Sequence, residues 1–160
     1  MKKNLQKLIP PYEGTEPYLY LAFSEADTKA VRKLLIPLVT RGCRVWYCTG
    51  TAGSAEALLH RQERSAGAAL TVLYMTDAAC ADTNTKSNVL VNQKYDRPIL
   101  CLDPDGKDRR LTMGLRETVP HVPLYKCNNI EEQILAILHG EGFSQQLLGS
   151  PMVVKDRAIV

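Results

Sequence analysis

Short apolar runs recur along the chain, and a more polar segment separates each run from the next. The first run, residues 17–23, reads PYLYLAF and contains no charged residue. A continuous apolar run of this length is typical of a strand that is covered on both faces of a sheet. Residues 43–47, 69–75, 98–102 and 121–125 are also mostly apolar, with Arg44 as a charged exception. The chain therefore has the apolar pattern of buried, parallel strands.

Helical patterns fill the segments between these runs. Ser24 or Asp27 is suited to cap the first helix, because a short polar side chain can accept a hydrogen bond from a free N–H of the first turn. Residues 55–66 predict a helix capped by Ser54, and Asn129 is suited to cap the last helix. Strands that alternate with helices predict an α/β fold, a doubly wound, five-stranded parallel sheet with helices on both faces.

The composition is that of a globular protein with a single domain. The chain has 160 residues, of which 45% are hydrophobic and 23% are charged, and this length is enough to bury a core without metal ions or disulfides. The pattern predicts a domain over residues 14–140, preceded by an N-terminal extension (1–13) and followed by a tail (141–160). The periodicity of the tail is weak, which predicts loose packing or packing on another chain.

Charge and hydropathy argue against several classes of partner. The formal net charge is only +3 and the basic residues are dispersed, so we expect no nucleic acid partner. No segment approaches the roughly 20 apolar residues of a membrane-spanning helix, and no signal peptide follows the basic N-terminus, so we expect a cytoplasmic protein without membrane association. The five cysteines form no CxxC motif and no histidine lies at ligand spacing, so we expect free thiols and no metal site.

Parallel sheets bind ligands outside the carboxyl ends of their strands, near the point where the strand order reverses. The corresponding segments are residues 23–24, 47–54 and 76–88. The first strand is followed by no GxGxxG fingerprint, and the chain has no P-loop and no GxSxG motif. The residues alone therefore predict where a ligand would bind but not which ligand it is.

Three short motifs follow one another along the chain. Residues 16–27 read EPYLYLAFSEAD, residues 41–47 read RGCRVWY, and residues 111–116 read LTMGLR. In this order they resemble the opening strand, the second strand and a late segment of the Toll/interleukin-1 receptor (TIR) family in its bacterial form. The resemblance covers roughly residues 12–140 and implies a TIR/flavodoxin-like fold. Because enzymatic members of that family cleave the nicotinamide–ribose bond of NAD, it also implies this reaction.

The family's catalytic glutamate has no counterpart in this chain. The resemblance puts Asn88 at its position, and a slip of one residue brings Ser87 or Val89 there instead. As nicotinamide leaves, the ribose gains oxocarbenium character, which a carboxylate stabilises and a neutral amide does not. Lys86 nearby would oppose the developing positive charge. The resemblance therefore implies a divergent member without the usual catalytic residue.

The loop after the second strand also lacks the acidic residues of the family pattern. Family members carry acidic residues after the Trp-Tyr pair, whereas residues 46–51 of this chain read WYCTGT. The resemblance implies that TIR domains associate through this loop, whose small residues here suit either close packing on a partner or a merely flexible loop. The candidate interface loop consists of Cys48, Gly50, Thr51, Gly53 and Ser54. The candidate pocket consists of Phe23, Ser24, Asp27, Trp46, Tyr47, Thr49, Asn84 and Asn88.

Two classes of function remain open. In the first, the chain is a degenerate TIR-like domain of bacterial signalling or defence that binds another TIR-containing protein, itself or a nucleotide signal, and does not cleave NAD. Such a domain needs no cofactor, and NAD or an ADP-ribose-type nucleotide would be its ligand. In the second, the chain is an active NAD glycohydrolase or cyclase that takes its acid from Asp77, Asp82 or Glu56.

Overall fold

The computed structural model describes residues 5–48 and 54–154, which contain one five-stranded sheet. The strands are β1 (Leu19–Ala22), β2 (Val45–Tyr47), β3 (Leu70–Tyr74), β4 (Ile99–Asp103) and β5 (His121–Pro123). Their order is β2-β1-β3-β4-β5, and every neighbouring pair is parallel. This is the flavodoxin-like order, which reverses between β1 and β3. The predicted fold class is confirmed.

Helices cover both faces of the sheet. They are α1 (Leu5–Leu8), α2 (Thr28–Thr40), α3 (Ala55–Gly67), α4 (Asp77–Ala81), α5 (Thr83–Lys94), α6 (Arg110–Met113) and α7 (Ile130–Leu138). Leu19 and Leu21 of β1 pack in one core with α2 and α7, whereas Tyr20 and Ala22 pack in a second core with α4, α5 and α6. Successive side chains of a strand alternate between faces, which divides the two cores. Helix α3 joins the second face by packing against α5.

The segment before β1 packs on the edge strand β2. Leu5 and Ile9 are buried in the core of the first face. The backbone carbonyl of Ile9 accepts a hydrogen bond from the hydroxyl of Tyr47, and the N–H of Tyr12 donates to the carbonyl of Val45 over 2.9 Å. The described part of the N-terminal extension therefore contributes to the core of the domain.

The segment after α7 packs along the same edge, so the expectation of loose packing does not hold for residues 141–154. The carbonyl of Leu147 accepts a hydrogen bond of 2.9 Å from the N–H of Arg44, and Met152 N–H donates to the carbonyl of Val39 over 2.9 Å. Leu148 forms an antiparallel bridge with Cys43, and the side chain of Leu147 is fully buried. An unpaired edge strand exposes free N–H and C=O groups, and this segment satisfies some of them.

Two classes of feature are not found in the part of the chain that the structure describes. No helix there is long and apolar enough to cross a lipid bilayer. No group of three or more His, Cys, Asp or Glu side chains there is arranged to hold a metal ion.

Candidate functional site

Asn88 lies on the inner side of α5, where it faces the sheet. The helix begins after Asp82, whose carboxylate accepts hydrogen bonds from the N–H groups of Asn84 (3.1 Å) and Thr85 (3.2 Å). The Asn88 side chain is buried and lies close enough to the Tyr20 hydroxyl on β1 to offset part of the rise that burial causes in the pKa of that hydroxyl. The position that the TIR resemblance assigns to a glutamate is therefore occupied by a buried amide beside a buried tyrosine.

A buried guanidinium shares this tyrosine with Asn88. Arg61 of α3 is 5% exposed, and its Nε donates to the Tyr20 hydroxyl over 3.3 Å. A terminal nitrogen of Arg61 donates to the hydroxyl of Thr85 over 3.3 Å, and this hydroxyl in turn donates to the carbonyl of Phe23 over 3.2 Å. We call Tyr20, Arg61, Thr85 and Asn88 the central cluster. It joins α3 and α5 to the end of β1.

The central cluster carries a positive charge. No ion pair between Arg61 and a carboxylate is found among residues 5–48 and 54–154. Burial raises the pKa of the Tyr20 hydroxyl, and the neighbouring Arg61 only partly offsets this rise, so Tyr20 is neutral at physiological pH. The cluster therefore has one cation, two neutral hydroxyls and one amide.

Trp46 of β2 packs against the same tyrosine. The Trp46 ring centroid lies 5.5 Å from that of Tyr20 and 5.8 Å from the ring of His60 on α3. The indole is 5% exposed, and its buried N–H has no hydrogen-bond acceptor among the described residues. Of the predicted pocket residues, the structure thus brings Trp46 and Asn88 together on one face of the sheet.

Tyr47 and Phe23 do not share a face with Trp46, which corrects the predicted pocket. Both side chains belong to the first core, where their ring centroids are 6.3 Å apart. The reason is the alternation of side chains along a strand, because Trp46 and Tyr47 are consecutive residues of β2. Only the backbone carbonyl of Phe23 contacts the central cluster.

Ser24 and Asp27 lie at the carboxyl end of β1 and stabilise local structure there. The Ser24 hydroxyl accepts a hydrogen bond of 3.3 Å from the N–H of Ala26. Asp27 directly precedes α2, but its side chain does not cap this helix. Its carboxylate instead accepts a hydrogen bond of 2.5 Å from the hydroxyl of Thr76, which follows β3. Asp27 thereby joins the ends of β1 and β3, where the strand order reverses.

The three alternative acids have other partners or face solvent. Asp77 forms a 2.6 Å ion pair with Arg109, and this contact lowers the pKa of the Asp77 carboxyl. Asp82 caps α5 as described above, and Glu56 lies exposed in the first turn of α3. The structure does not bring these carboxylates to a common point beside Asn88.

The candidate interface loop is described only at its two ends. Cys48 is half-buried at the end of β2, and the hydroxyl of Ser54 caps α3 by accepting a hydrogen bond of 3.1 Å from the N–H of Ala57. Thr49, Gly50, Thr51 and Gly53 lie outside the described residues.

A cleft with a volume of about 410 Å³ lies at the opposite edge of the sheet, where β4 and β5 begin. Its wall includes Arg116 and Asp96, which form an exposed ion pair of 3.3 Å. None of the predicted pocket residues lines this cleft.

Tyr20, Arg61 and Thr85 were not among the predicted site residues. The one signal in the sequence is the spacing of Arg61 and Ser65, which lie four positions apart in a helix without a clear apolar stripe. These two are the buried residues of α3, so this helix presents a polar face to the interior.

The sequence was also compared with known proteins. No protein-family model matches the chain, and no curated protein sequence matches it. The resemblance to the TIR family thus rests on the three sequence motifs and on the order and spacing of the elements.

Proposed function

We propose that this chain is a TIR-like domain that acts by binding and does not cleave NAD. Its partner would be another TIR-containing protein, a second copy of itself or a nucleotide signal. The observation that supports the proposal is that Asn88 and Arg61 lie beside one buried hydroxyl, that of Tyr20, to which Arg61 donates a hydrogen bond. At this position an NAD-cleaving relative is implied to have a carboxylate, and this chain has an amide beside a cation.

An amide beside a cation, in place of a carboxylate, opposes the cleavage of NAD electrostatically. The transition state for loss of nicotinamide is positively charged at the ribose, so an anion nearby lowers its free energy and a cation raises it. Loss of one preorganised electrostatic group commonly reduces kcat by about 100-fold or more. The guanidinium of Arg61 adds a repulsive interaction to that loss. We therefore expect no detectable NAD turnover.

The test is NAD consumption by the purified chain at high enzyme concentration. The matched variants are Asn88→Glu, which restores the acid, and Asn88→Glu combined with Arg61→Gln, which also removes the opposing cation. We expect the wild type to be inert. Activity that appears in the double variant only would identify Arg61 as a second barrier to the reaction.

Turnover by the wild type would contradict the proposal. Its loss in Asp77→Ala, Asp82→Ala or Glu56→Ala would then support an NAD glycohydrolase with a displaced acid. For an inert wild type, calorimetric titration with ADP-ribose separates the two binding modes. Saturable binding without turnover supports a nucleotide-sensing domain, and no binding supports a protein adaptor.

A further inference from the structure

Arg61 forms no ion pair with a carboxylate among the described residues. Its guanidinium is almost fully buried, yet the described groups that it contacts are neutral hydroxyls, each at 3.3 Å, which is slightly beyond the usual range for a protein hydrogen bond. Buried charges are normally paired, because removal of an ion from water has a large free-energy cost. An anion beside Arg61 would offset that cost.

Trp46 lacks an acceptor in the same place. Its indole is 5% exposed and its N–H has no partner among residues 5–48 and 54–154, although buried N–H groups are nearly always hydrogen-bonded. The Trp46 ring packs against Tyr20, whose hydroxyl is hydrogen-bonded to Arg61. In the described part of the chain, an indole N–H without an acceptor and a buried guanidinium without an ion-paired carboxylate therefore flank a single tyrosine.

The neighbouring segments do not supply the missing anion. Asp82 is close enough to act electrostatically on Arg61, but it forms no ion pair with Arg61, and one of its oxygens accepts hydrogen bonds from two N–H groups of α5. The segment that follows β2, residues 49–53, reads TGTAG and contains no acidic residue. The anion that would pair with Arg61 is thus best supplied by a bound molecule.

We propose that Arg61 and Trp46 form a binding site for the phosphate group of a small ligand, between β1, β2, α3 and α5. A guanidinium has five N–H donors, and the described hydroxyls accept from only two of the Arg61 nitrogens, so other N–H groups can donate to phosphate oxygens; the indole N–H adds a further donor. Cys48 packs against the second core and is only half-buried, so this core approaches solvent on that side. The inference rests on the proposed function, because a working NAD hydrolase would need an anion of its own at this cluster.

The experiment is a thermal-unfolding and calorimetric titration with sodium phosphate and with ADP-ribose, against sodium chloride at equal ionic strength. We expect phosphate to raise the Tm of the wild type, because a ligand that binds only the folded state stabilises it. Trp46→Phe keeps an aromatic side chain but removes the indole N–H, and should weaken binding by about tenfold or more, the usual effect of one hydrogen bond to a charged group. Arg61→Gln should abolish binding.

The control is Arg116→Gln, which removes an exposed guanidinium at the other edge of the sheet and should bind phosphate as the wild type does. Tighter binding of ADP-ribose than of phosphate would identify a nucleotide ligand, and equal affinity would identify the free anion. No binding of either ligand, or unchanged binding in folded Trp46→Phe and Arg61→Gln, would overturn the inference. NAD consumption measured on the same samples tests the proposed function separately, since turnover would refute that function while phosphate binding persisted.

Discussion

The side-chain amide of Asn92 on α5 donates a hydrogen bond of 3.0 Å to the hydroxyl of Thr71 on β3. The same amide lies 3.0 Å from the hydroxyl of Ser65 on α3, and its oxygen accepts a 2.9 Å hydrogen bond from Arg97. Asn92 is fully buried. It therefore connects two helices and a central strand through polar contacts within the second core.

We expect Asn92→Ala to lower the free energy of unfolding by about 2 to 3 kcal/mol, because it leaves buried hydroxyls without a donor. Urea denaturation at neutral pH measures this change. The matched control is Ser87→Ala, an exposed position of the same helix, for which we expect a change within about 0.5 kcal/mol. Equal effects of the two substitutions would show that the Asn92 contacts contribute nothing to stability.

The packing of the C-terminal segment can be tested by two truncations of apolar side chains. Leu147→Ala removes a fully buried side chain and should cost about 2 to 5 kcal/mol. Val153→Ala changes a side chain that is 74% exposed and should cost less than about 0.5 kcal/mol. The measurement is again urea denaturation. If Leu147→Ala were as mild as Val153→Ala, this segment would not be part of the core.

Gly42 and Gly106 both have a positive φ, but only one of them is crowded. A Cβ at Gly42 would lie 2.3 Å from the carbonyl oxygen of Gly149, whereas a Cβ at Gly106 would lie 3.4 Å or more from the ring of Tyr125. Gly106→Ala should therefore lower the free energy of unfolding only by the cost of the left-handed backbone conformation, about 1 to 2 kcal/mol. Gly42→Ala should cost clearly more, because the backbone at Gly149 must also move.

Comparison of the two variants by urea denaturation isolates the close approach of Gly42 and Gly149. Amide hydrogen exchange in residues 147–152 provides a second readout, since Gly42→Ala should speed exchange there and Gly106→Ala should not. Equal unfolding free energies for the two variants would argue against this contact.

Arg109 makes the stability of the folded state depend on pH under acidic conditions. It donates to both carboxylate oxygens of Asp105, at 2.9 and 2.8 Å, and lowers the pKa of this group to about 2 from the ordinary value of 3.8. The pKa of Asp77 is lowered by the same guanidinium. A carboxyl with a depressed pKa in the folded state contributes stability above its ordinary pKa, and this contribution is lost as the pH falls through the folded value.

We therefore expect the urea midpoint of the wild type to fall between about pH 4 and pH 2. Asp105→Asn removes the titrating group and Arg109→Gln removes its partner, so both variants should show a shallower fall over this window. A wild-type slope in both variants would mean that Arg109 does not perturb these carboxyls in solution.

The strands and the starts of two helices, α3 and α7, could be predicted from local patterns. Apolar runs bury a strand whatever lies around it, so all five strands appear within a few residues of their predicted positions. Ser54 and Asn129 cap their helices as predicted, because a cap depends on the side chain and the first turn alone. The short helices α4 and α6 were not predicted, since each is too short to show a helical period.

The composition of the site depended on long-range contacts. The sequence shows that position 88 is not acidic, that Lys86 lies nearby and that no acid follows the Trp46-Tyr47 pair, and these departures from the family pattern motivated the prediction of lost catalysis. Only the packing of α3 against α5 buries Arg61 beside Tyr20. The separation of Trp46 from Tyr47 follows instead from the alternation of side chains along β2. In the same way, Leu147 is buried by an edge strand about a hundred residues earlier in the chain. Local patterns determine which segments form strands and helices, whereas contacts between distant segments decide which polar residues they enclose, because burial depends on neighbours that the local sequence does not contain.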